Sequence, residues 1–271
     1  MQASVHKTDV IRKLKSELLL LQGFRRPSAE KTVYTGLHTI EKAFPQKIFP
    51  TGAIHSFSSL TWGDAAATNG FIAGLLGNLI LSLSAQAEPA RLNLSGGRSR
   101  NLRNLTSTAA VEAVWVNGAN IYPPALKLFG IDPEKIVFIN TRKPKEALWV
   151  VEEALKCESL VAVMGELREL SFTESRRLQL AVEKSGVTGF INRHNPRGSN
   201  PIACAANWKI TSAASVLNGL PGVGFPCWNV DLIKVRNGKP GKWLVEWHNG
   251  HFKQITKPLF AVPEYQTRNT G

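Results

Sequence analysis

The chain has 271 residues, of which 43% are hydrophobic, so it is long and apolar enough for one large domain with a sizeable core. Its three cysteines are odd in number and widely spaced, which excludes a disulfide framework and disfavours a cysteine-based metal site. The formal net charge of +13 is concentrated in residues 1–50, 91–111 and 191–271, which favours a surface for a polyanion such as nucleic acid over a solvated basic surface without a partner.

The N-terminal residues 5–22 have the pattern of an amphipathic helix, which Gly23 ends. A connector runs from there to residue 48 and separates this helix from the rest of the chain. Its stripe is therefore a candidate for binding a partner as well as for packing on the protein's own core. The stripe consists of Ile11, Leu14, Leu18 and Leu21.

The sequence carries no clear export or membrane signal. The charged N-terminus lacks the apolar block of a signal peptide. The longest apolar stretch, residues 71–83, is too short to span a bilayer. We therefore expect a cytoplasmic protein that has no membrane partner.

From residue 49 the pattern alternates between strand and helix. Strands are predicted at 53–57, 112–117, 136–140, 160–165 and 188–193, and helices at 65–85, 122–130, 144–158 and 173–186. Continuous apolar strands separated by such helices predict an α/β fold, with a mostly parallel central sheet flanked by helices on both faces. Beyond residue 200, alternating segments predict an antiparallel β extension at 205–213, 228–236, 242–250 and 251–255.

Two basic segments are candidates for DNA binding. Residues 89–108 interrupt the α/β pattern without a single acid, and we expect an exposed, mobile insertion there. Residues 192–201 follow a predicted strand and also lack acids. Arginines can contact phosphate and stack on bases, although Arg193 could instead pair inside the fold. The DNA-binding candidates are Arg98, Arg100, Arg103, Arg193, His194, Arg197, Lys234 and Arg236.

Residues 49–83 have the layout of a phosphate-binding loop, but the residues do not fit its chemistry. The pattern Gly-x-x-x-x-Gly-Lys-Ser/Thr, set on Gly63, requires glycine at Ser58, lysine at Asp64 and a hydroxyl at Ala65. A carboxylate at ~4 Å from a phosphate costs about 4 kcal/mol at an effective dielectric of ~20. Ala65 cannot hold Mg²⁺. We therefore predict no nucleotide cofactor and no metal, and expect Asp64 to stabilise a helix N-terminus.

A long ordered set of stretches carries a family resemblance: "GFIAGLL", "YPPALKLFGI", "EEALKCE", "SRRLQLAVEKS", "GFINRHNPR" and "LPGVGFPCWNVDLIKVRNGKPGKWLVEW". This set resembles the ImuA family of RecA-like bacterial mutagenesis proteins, and several stretches of the chain resemble a RecA-type core. The resemblance covers residues 49–248 and implies a RecA-like core there, between an N-terminal segment 1–48 and a C-terminal tail 249–271. The position of the Walker B aspartate falls on Gly165, with Glu166 one residue on.

The resemblance implies a non-catalytic accessory protein of an SOS-induced mutasome for translesion DNA synthesis. Its partners would be ImuB, an inactive Y-family polymerase homologue, and an error-prone replicative-type DNA polymerase. DNA, either single-stranded or primer-template, would be a further partner, self-association is possible, and the protein would join the nucleoid when DNA is damaged. Two alternatives stay open: a RecA-like ATPase or recombinase with an unorthodox loop, and a SulA-like inhibitor of cell division.

Other polar residues favour structural roles. We expect His55, on a predicted strand, to be a hydrogen-bonded and partly buried histidine. We expect Glu166 and Glu169 to form ion pairs with nearby arginines rather than bind a metal. The arginines are Arg168, Arg176 and Arg177.

Overall fold

The computed structural model describes residues 33–92, 111–118, 121–196, 201–215 and 224–255. Within these ranges the strands are β1 Ile54–Ser59, β2 Ala113–Val116, β3 Ile136–Ile139, β4 Ala162–Leu167, β5 Thr188–His194, β6 Ala206–Ala213, β7 Cys227–Val235, β8 Gly241–His248 and β9 His251–Ile255. The α-helices are α1 Trp62–Leu92, α2 Pro144–Leu155 and α3 Phe172–Ser185. Short 3-10 helices are found at His38–Ala43, Pro45–Lys47, Pro123–Phe129 and Pro133–Lys135.

The strands form a single sheet in the order β3-β2-β4-β5-β1-β6-β7-β8-β9. Pairs from β3 through to β6 are parallel, whereas β6–β7, β7–β8 and β8–β9 are antiparallel. The predicted α/β class, with its mostly parallel sheet and antiparallel C-terminal extension, is confirmed. The predicted separate N-terminal helix lies outside the described residues.

The sheet separates two hydrophobic clusters, because successive strand residues point to opposite faces. On one face, α1 packs over Phe57 of β1 and Trp208 of β6. On the other face, α2 and α3 bury Ile54 of β1 against Val151 and Leu178. The helices therefore flank both faces of the parallel strands, as the continuous apolar strands predicted.

Helix α1 is longer than the predicted 65–85. Its segment Trp62–Ala85, with a mean hydropathy of 1.5, is long and apolar enough to cross a membrane, but 67% of its most apolar window is buried inside the fold. The apolar stretch 71–83 is therefore only part of a longer apolar helix. Because most of its apolar window is buried, α1 is a core helix of the fold. At Gly77 a Cβ would lie 2.0 Å from the carbonyl oxygen of Phe129, so glycine lets α1 approach the 3-10 helix Pro123–Phe129.

Helix α3 begins at Phe172, one residue before the predicted start at 173. Ser171 is its N-cap: the Ser171 hydroxyl accepts from the Glu174 amide, and the Glu174 carboxylate accepts from the Ser171 amide. This reciprocal capping box satisfies two backbone donors that would otherwise lack partners. Gly186 ends the helix in the left-handed conformation with φ of 79°, as predicted.

The described part of the connector belongs to the core. Leu37, Ile40 and Phe44 are each no more than 3% exposed and join the cluster beneath α1. Backbone bonding continues this contact, because the Lys239 amide donates to the Ala43 carbonyl at 2.8 Å. Residues 33–48 thus pack on the same body as the sheet.

Candidate functional site

The connection between β1 and α1 is a two-residue turn. Only Leu60 and Thr61 separate Ser59, the last strand residue, from Trp62, the first helical residue. A phosphate-binding loop needs four residues between its glycines to curl amides around phosphate. Ser58, where the first of those glycines would stand, is a residue of strand β1, so the turn is too short to enclose a phosphate group.

The Asp64 carboxylate accepts hydrogen bonds from the backbone amides of this turn. Its Oδ2 accepts from the backbone N–H groups of Leu60 at 3.3 Å and Thr61 at 3.2 Å. In return, the Asp64 amide donates to the Thr61 hydroxyl at 3.1 Å. This is a capping box, in which Thr61 is the N-cap and Asp64 is the third helical residue. The next residue, Ala65, is 4% exposed and offers no ligand atom.

Gly165 allows α2 to pack closely against the sheet. It lies in β4, and a Cβ there would meet Cγ2 of Val151 at 2.7 Å. The side that faces α2 therefore has no room for the carboxylate that a Walker B strand would carry at this position. The neighbouring Glu166 points to the opposite face.

Glu166 is the centre of a buried polar network at the carboxyl ends of the parallel strands. It is 8% exposed. Its Oε1 accepts from Nδ2 of Asn69 on α1 at 2.8 Å, and its Oε2 lies 2.8 Å from Nε2 of His194 on β5. The ring of Trp62 lies over His194, with centroids 5.7 Å apart. One carboxylate thus connects α1, β4 and β5.

The predicted ion pairs of Glu166 with arginines are wrong. Arg177 pairs with Glu152 at 2.5 Å, and Arg176 with Glu183 at 3.9 Å. Both pairs lie on the side of the sheet that carries α2 and α3, whereas Glu166 faces α1. Closeness in sequence did not predict the partner of Glu166, because adjacent residues of a strand point to opposite faces of the sheet.

A second polar network continues along the same edge. The Ser59 hydroxyl donates to Oδ1 of Asn192 at 2.8 Å and lies 3.1 Å from the Thr68 hydroxyl. Because Ser59 has a single proton, the Thr68 hydroxyl donates to it. Polar groups at the ends of β1 and β5 are therefore paired with one another. The sequence did not predict a role for Asn69, Thr68 or Asn192. They stand out there only as polar residues within apolar stretches.

Arg193 lies inside the protein. It is 5% exposed, and its guanidinium donates from Nε to the Ser56 hydroxyl and from Nη2 to the Ser58 hydroxyl, both at 3.0 Å. Burial lowers the pKa of this guanidinium. The position favours the alternative in which Arg193 pairs inside the fold. His194, the next DNA-binding candidate, faces the other side of the sheet and is engaged by Glu166.

Only some of the DNA-binding candidates fall within the described residues. The charges of Arg193 and Lys234 both act on the Cys204 thiol and lower its pKa. Burial is the larger effect and raises the pKa of that thiol to about 11. Lys234 is exposed, and Arg236 is half-buried. The remaining predicted residues lie outside the described ranges: Arg98, Arg100, Arg103, Arg197, Ile11, Leu14, Leu18 and Leu21.

In the part of the chain that the structure describes, no three His, Cys, Asp or Glu side chains come close enough to hold a metal ion. The described polar groups at this edge form hydrogen-bonding and capping arrangements.

The chain is similar to a curated protein that is found in two strains of one species. The chain is 31% identical over 159 residues to Protein ImuA of Caulobacter vibrioides, both in strain NA1000 / CB15N and in strain ATCC 19089 / CIP 103742 / CB 15. The match covers 54% of this chain and 64% of the relative, so it spans less than two thirds of the relative's length. No family model matches the chain.

Proposed function

We propose, from its similarity to Protein ImuA, that the chain is a member of the ImuA family and a non-catalytic accessory protein of an SOS-induced translesion DNA synthesis mutasome. In this proposal its fold is RecA-like and its task is to hold partners together. The partners are the ImuB polymerase homologue, through it or directly an error-prone replicative-type DNA polymerase, and DNA. The protein acts in the cytoplasm and at the nucleoid.

The observation that carries the non-catalytic part of the proposal is the position of Asp64. Its carboxylate already accepts from the turn amides of Leu60 and Thr61, which are the groups that a phosphate would need. A phosphate there would have to displace an internal acceptor and then lie against its negative charge. No lysine or hydroxyl follows at the positions that hold phosphate and Mg²⁺ in a working loop, which are Asp64 and Ala65.

A titration of labelled ATP with Mg²⁺ tests this part. We expect no saturable binding at micromolar concentrations and no hydrolysis above background. The variant Asp64→Lys/Ala65→Thr is the stringent control, because it restores the lysine and the hydroxyl but keeps the two-residue turn. We expect it to remain inactive as well. Micromolar affinity or turnover in the unmodified protein would favour the ATPase alternative.

The partner part of the proposal rests on the similarity to Protein ImuA, and a pull-down tests it. Tagged full-length protein is mixed with purified ImuB from the same organism, and the bound fraction is measured. We expect a stable complex that a tubulin-like division protein does not form. Alanine substitution of Ile11, Leu14, Leu18 and Leu21, compared with truncation of residues 256–271, then shows whether ImuB binds the N-terminal stripe or the C-terminal end of the chain. Capture of the division protein instead would favour the SulA-like alternative.

The DNA part of the proposal is supported by the excess of positive charge in residues 191–271, which carry a net +7. Fluorescence anisotropy with a labelled single strand tests it. We expect the affinity for DNA to fall steeply between low and physiological salt. When lysines and arginines bind the phosphates, they displace salt cations from the DNA, and added salt opposes this release. Lys234→Ala should weaken binding and flatten the salt dependence, whereas Lys127→Ala, an exposed lysine on the other side of the sheet, should not. Arg193 is unsuitable for this comparison because its replacement would also disturb the interior.

A further inference from the structure

The antiparallel strands β6–β9 have two unlike faces. Their tryptophan and phenylalanine side chains all belong to the hydrophobic cluster beneath α1: Trp208, Trp228, Trp243, Trp247 and Phe252. Because successive strand residues point to opposite faces, the lysines of these strands lie on the other side of the sheet. We call this side the basic face, and its lysines are Lys209, Lys234, Lys242 and Lys253.

A bulge in β7 decides the direction of Lys234. Trp208 of β6 pairs with Leu232, and both belong to the cluster beneath α1. The register then shifts, so that the preceding residue Asn207 pairs with Lys234. Asn207 points away from α1 because Trp208 points towards it, and Lys234 lies on the same face as its partner. The charge of Lys234 also acts on the Cys204 thiol, which packs on the cluster beneath α2 and α3.

No described helix covers the basic face. The cluster beneath α2 and α3 takes its strand residues from β1–β5 and none from β6–β9. Lys234, Lys242 and Lys253 are exposed, and Lys209 is half-buried. The exposed lysines are therefore accessible to a partner from solution.

Within the described residues, three lysines of the basic face lack the counter-ions that cations elsewhere have. On the neighbouring helices, cations pair with glutamates, as Arg177 does with Glu152. No described carboxylate lies within ion-pairing distance of Lys209, Lys234 or Lys253. Like charges that are not balanced within the protein repel one another, and a polyanion relieves this repulsion.

The two acids of β6–β9 do not offset these lysines. Asp231 is opposite Lys242 in the strand register, and its carboxylate accepts from the Lys242 ammonium at 3.0 Å. Glu246 is only 3% exposed and lies beside His248 of the same strand. Residues 206–255 carry six lysines and arginines against two acids, a net charge of +4. The basic face therefore presents positive charge to solvent.

We propose that the basic face holds the sugar–phosphate backbone of DNA and makes no stacking contact with its bases. This inference rests on the proposed function and specifies the surface that meets DNA. With neighbouring strands about 4.8 Å apart, the four strands are about 14 Å wide, a distance over which one DNA strand presents about four phosphates. The four lysines match this number of phosphates. Since the tryptophan and phenylalanine rings of these strands face α1, none of them can stack on a base.

Fluorescence anisotropy with a labelled DNA duplex tests the basic face. The variant Lys209→Gln/Lys253→Gln removes the charge from its two outer strands and leaves Lys234 in place. At about 0.9 per phosphate contact, the slope of log affinity against log salt should become less steep by about 1.8, so affinity should fall about 12-fold less between about 50 and about 200 mM salt. Lys127→Gln/Lys184→Gln is the matched control, because both lysines are exposed and lie outside β6–β9. It should bind as the unmodified protein does.

Asp231→Asn tests the same surface in the opposite direction. It removes the charge that holds Lys242 and keeps a side chain of the same size. We expect tighter DNA binding and a steeper salt dependence, because Lys242 is then free to contact a phosphate. An ion pair that only stabilised the fold would not give tighter binding when it is broken, so this result reports on contact with DNA.

A labelled single strand and its abasic counterpart test whether the bases are held. We expect equal affinities, because the two strands have the same phosphates. A loss of about tenfold or more on removal of the bases would indicate stacking and overturn recognition through the backbone.

The outcomes separate this inference from the proposed function. If the unmodified protein binds DNA and Lys209→Gln/Lys253→Gln binds like the control variant, the basic face is not the DNA surface, whereas the DNA part of the proposed function stands. If the unmodified protein does not bind DNA even at about 50 mM salt, both are overturned. If Lys209→Gln/Lys253→Gln keeps its DNA affinity but no longer captures ImuB, the basic face binds an acidic protein surface, and this proposal is overturned. Unchanged or weaker DNA binding by Asp231→Asn also overturns it.

Discussion

His55 is the second residue of β1 and has no exposed surface. Its ring stacks on Phe49 with centroids 4.2 Å apart, its Nε2 donates to the Pro50 carbonyl at 2.7 Å, and Nδ1 accepts from the Trp208 indole at 3.4 Å. Both ring nitrogens are thus used by the neutral form. Burial lowers the pKa of His55 to about 4, against an opposing effect of the bond to Pro50.

This histidine makes stability depend on pH. The pKa is about 6.5 in the unfolded chain and about 4 in the folded protein, so between these values the unfolded chain binds a proton that the folded protein does not. Stability is therefore fully present above about pH 6.5 and falls towards pH 4, by about 3 kcal/mol in total. His55→Gln keeps an amide donor for Pro50 and should lack this part of the pH dependence.

Urea unfolding at about pH 7.5 and about pH 5 measures the effect. We expect the free energy of unfolding to fall by about 2 kcal/mol more in the unmodified protein than in His55→Gln over this interval. Equal losses in the two proteins would show that His55 is not the group responsible.

The capping box at the start of α1 gives a second prediction for single residues. Asp64→Ala removes the acceptor for the amides of Leu60 and Thr61 and should lower the free energy of unfolding by about 1 kcal/mol. Asp64→Asn keeps an acceptor oxygen at the same place and should lose less. Chemical denaturation of the three proteins measures the order. A more stable Asp64→Ala would mean that the carboxylate is strained there and point to a role in binding.

At the scale of elements, α2 lies close to β4 because Gly165 has no side chain. A Cβ at this position would come within 2.7 Å of Cγ2 of Val151. Val151 is fully buried, so it cannot turn away into solvent. Gly165→Ala should therefore push α2 from the sheet and cost about 1–3 kcal/mol.

A double-mutant cycle tests this contact. Val151→Ala alone leaves a cavity and is destabilising, but in Gly165→Ala/Val151→Ala the new methyl group can occupy the vacated space. We expect the double variant to be more stable than the sum of the two single losses predicts, as measured by urea unfolding. Strict additivity would indicate that α2 adjusts without a clash.

The same elements show what the sequence could and could not predict. Apolar runs and alternation depend on local periodicity, so strands such as β3 and β9 were predicted within a residue of their observed ends. The start of α1 was missed because Trp62 and Gly63 are weak helix formers, and the capping box of Thr61 with Asp64 overrides that preference. The bond between Asn69 and Glu166 joins residues 97 positions apart. Such pairings depend on how elements pack, which periodicity does not encode.

At the scale of the whole molecule, α1 holds the parallel and antiparallel parts of the sheet together. Phe71 of α1 contacts Trp208 of β6, Trp228 of β7 and Phe252 of β9, with ring centroids 5.0 to 6.1 Å apart. These contacts join α1 to β6 and β7, the first antiparallel pair, and to β9, the strand at the edge of the sheet.

Phe252 is the side chain that ties the last strand to this cluster. It is 2% exposed and contacts the rings of Phe71, Trp228 and Trp247. Phe252→Ala should lower the free energy of unfolding by about 3–5 kcal/mol, because burial and packing of a large ring are lost together. Lys253→Ala, the exposed neighbour on the same strand, should change it by no more than about 0.5 kcal/mol. If both variants unfold at the same denaturant concentration as the unmodified protein, β9 is not part of the cooperative fold.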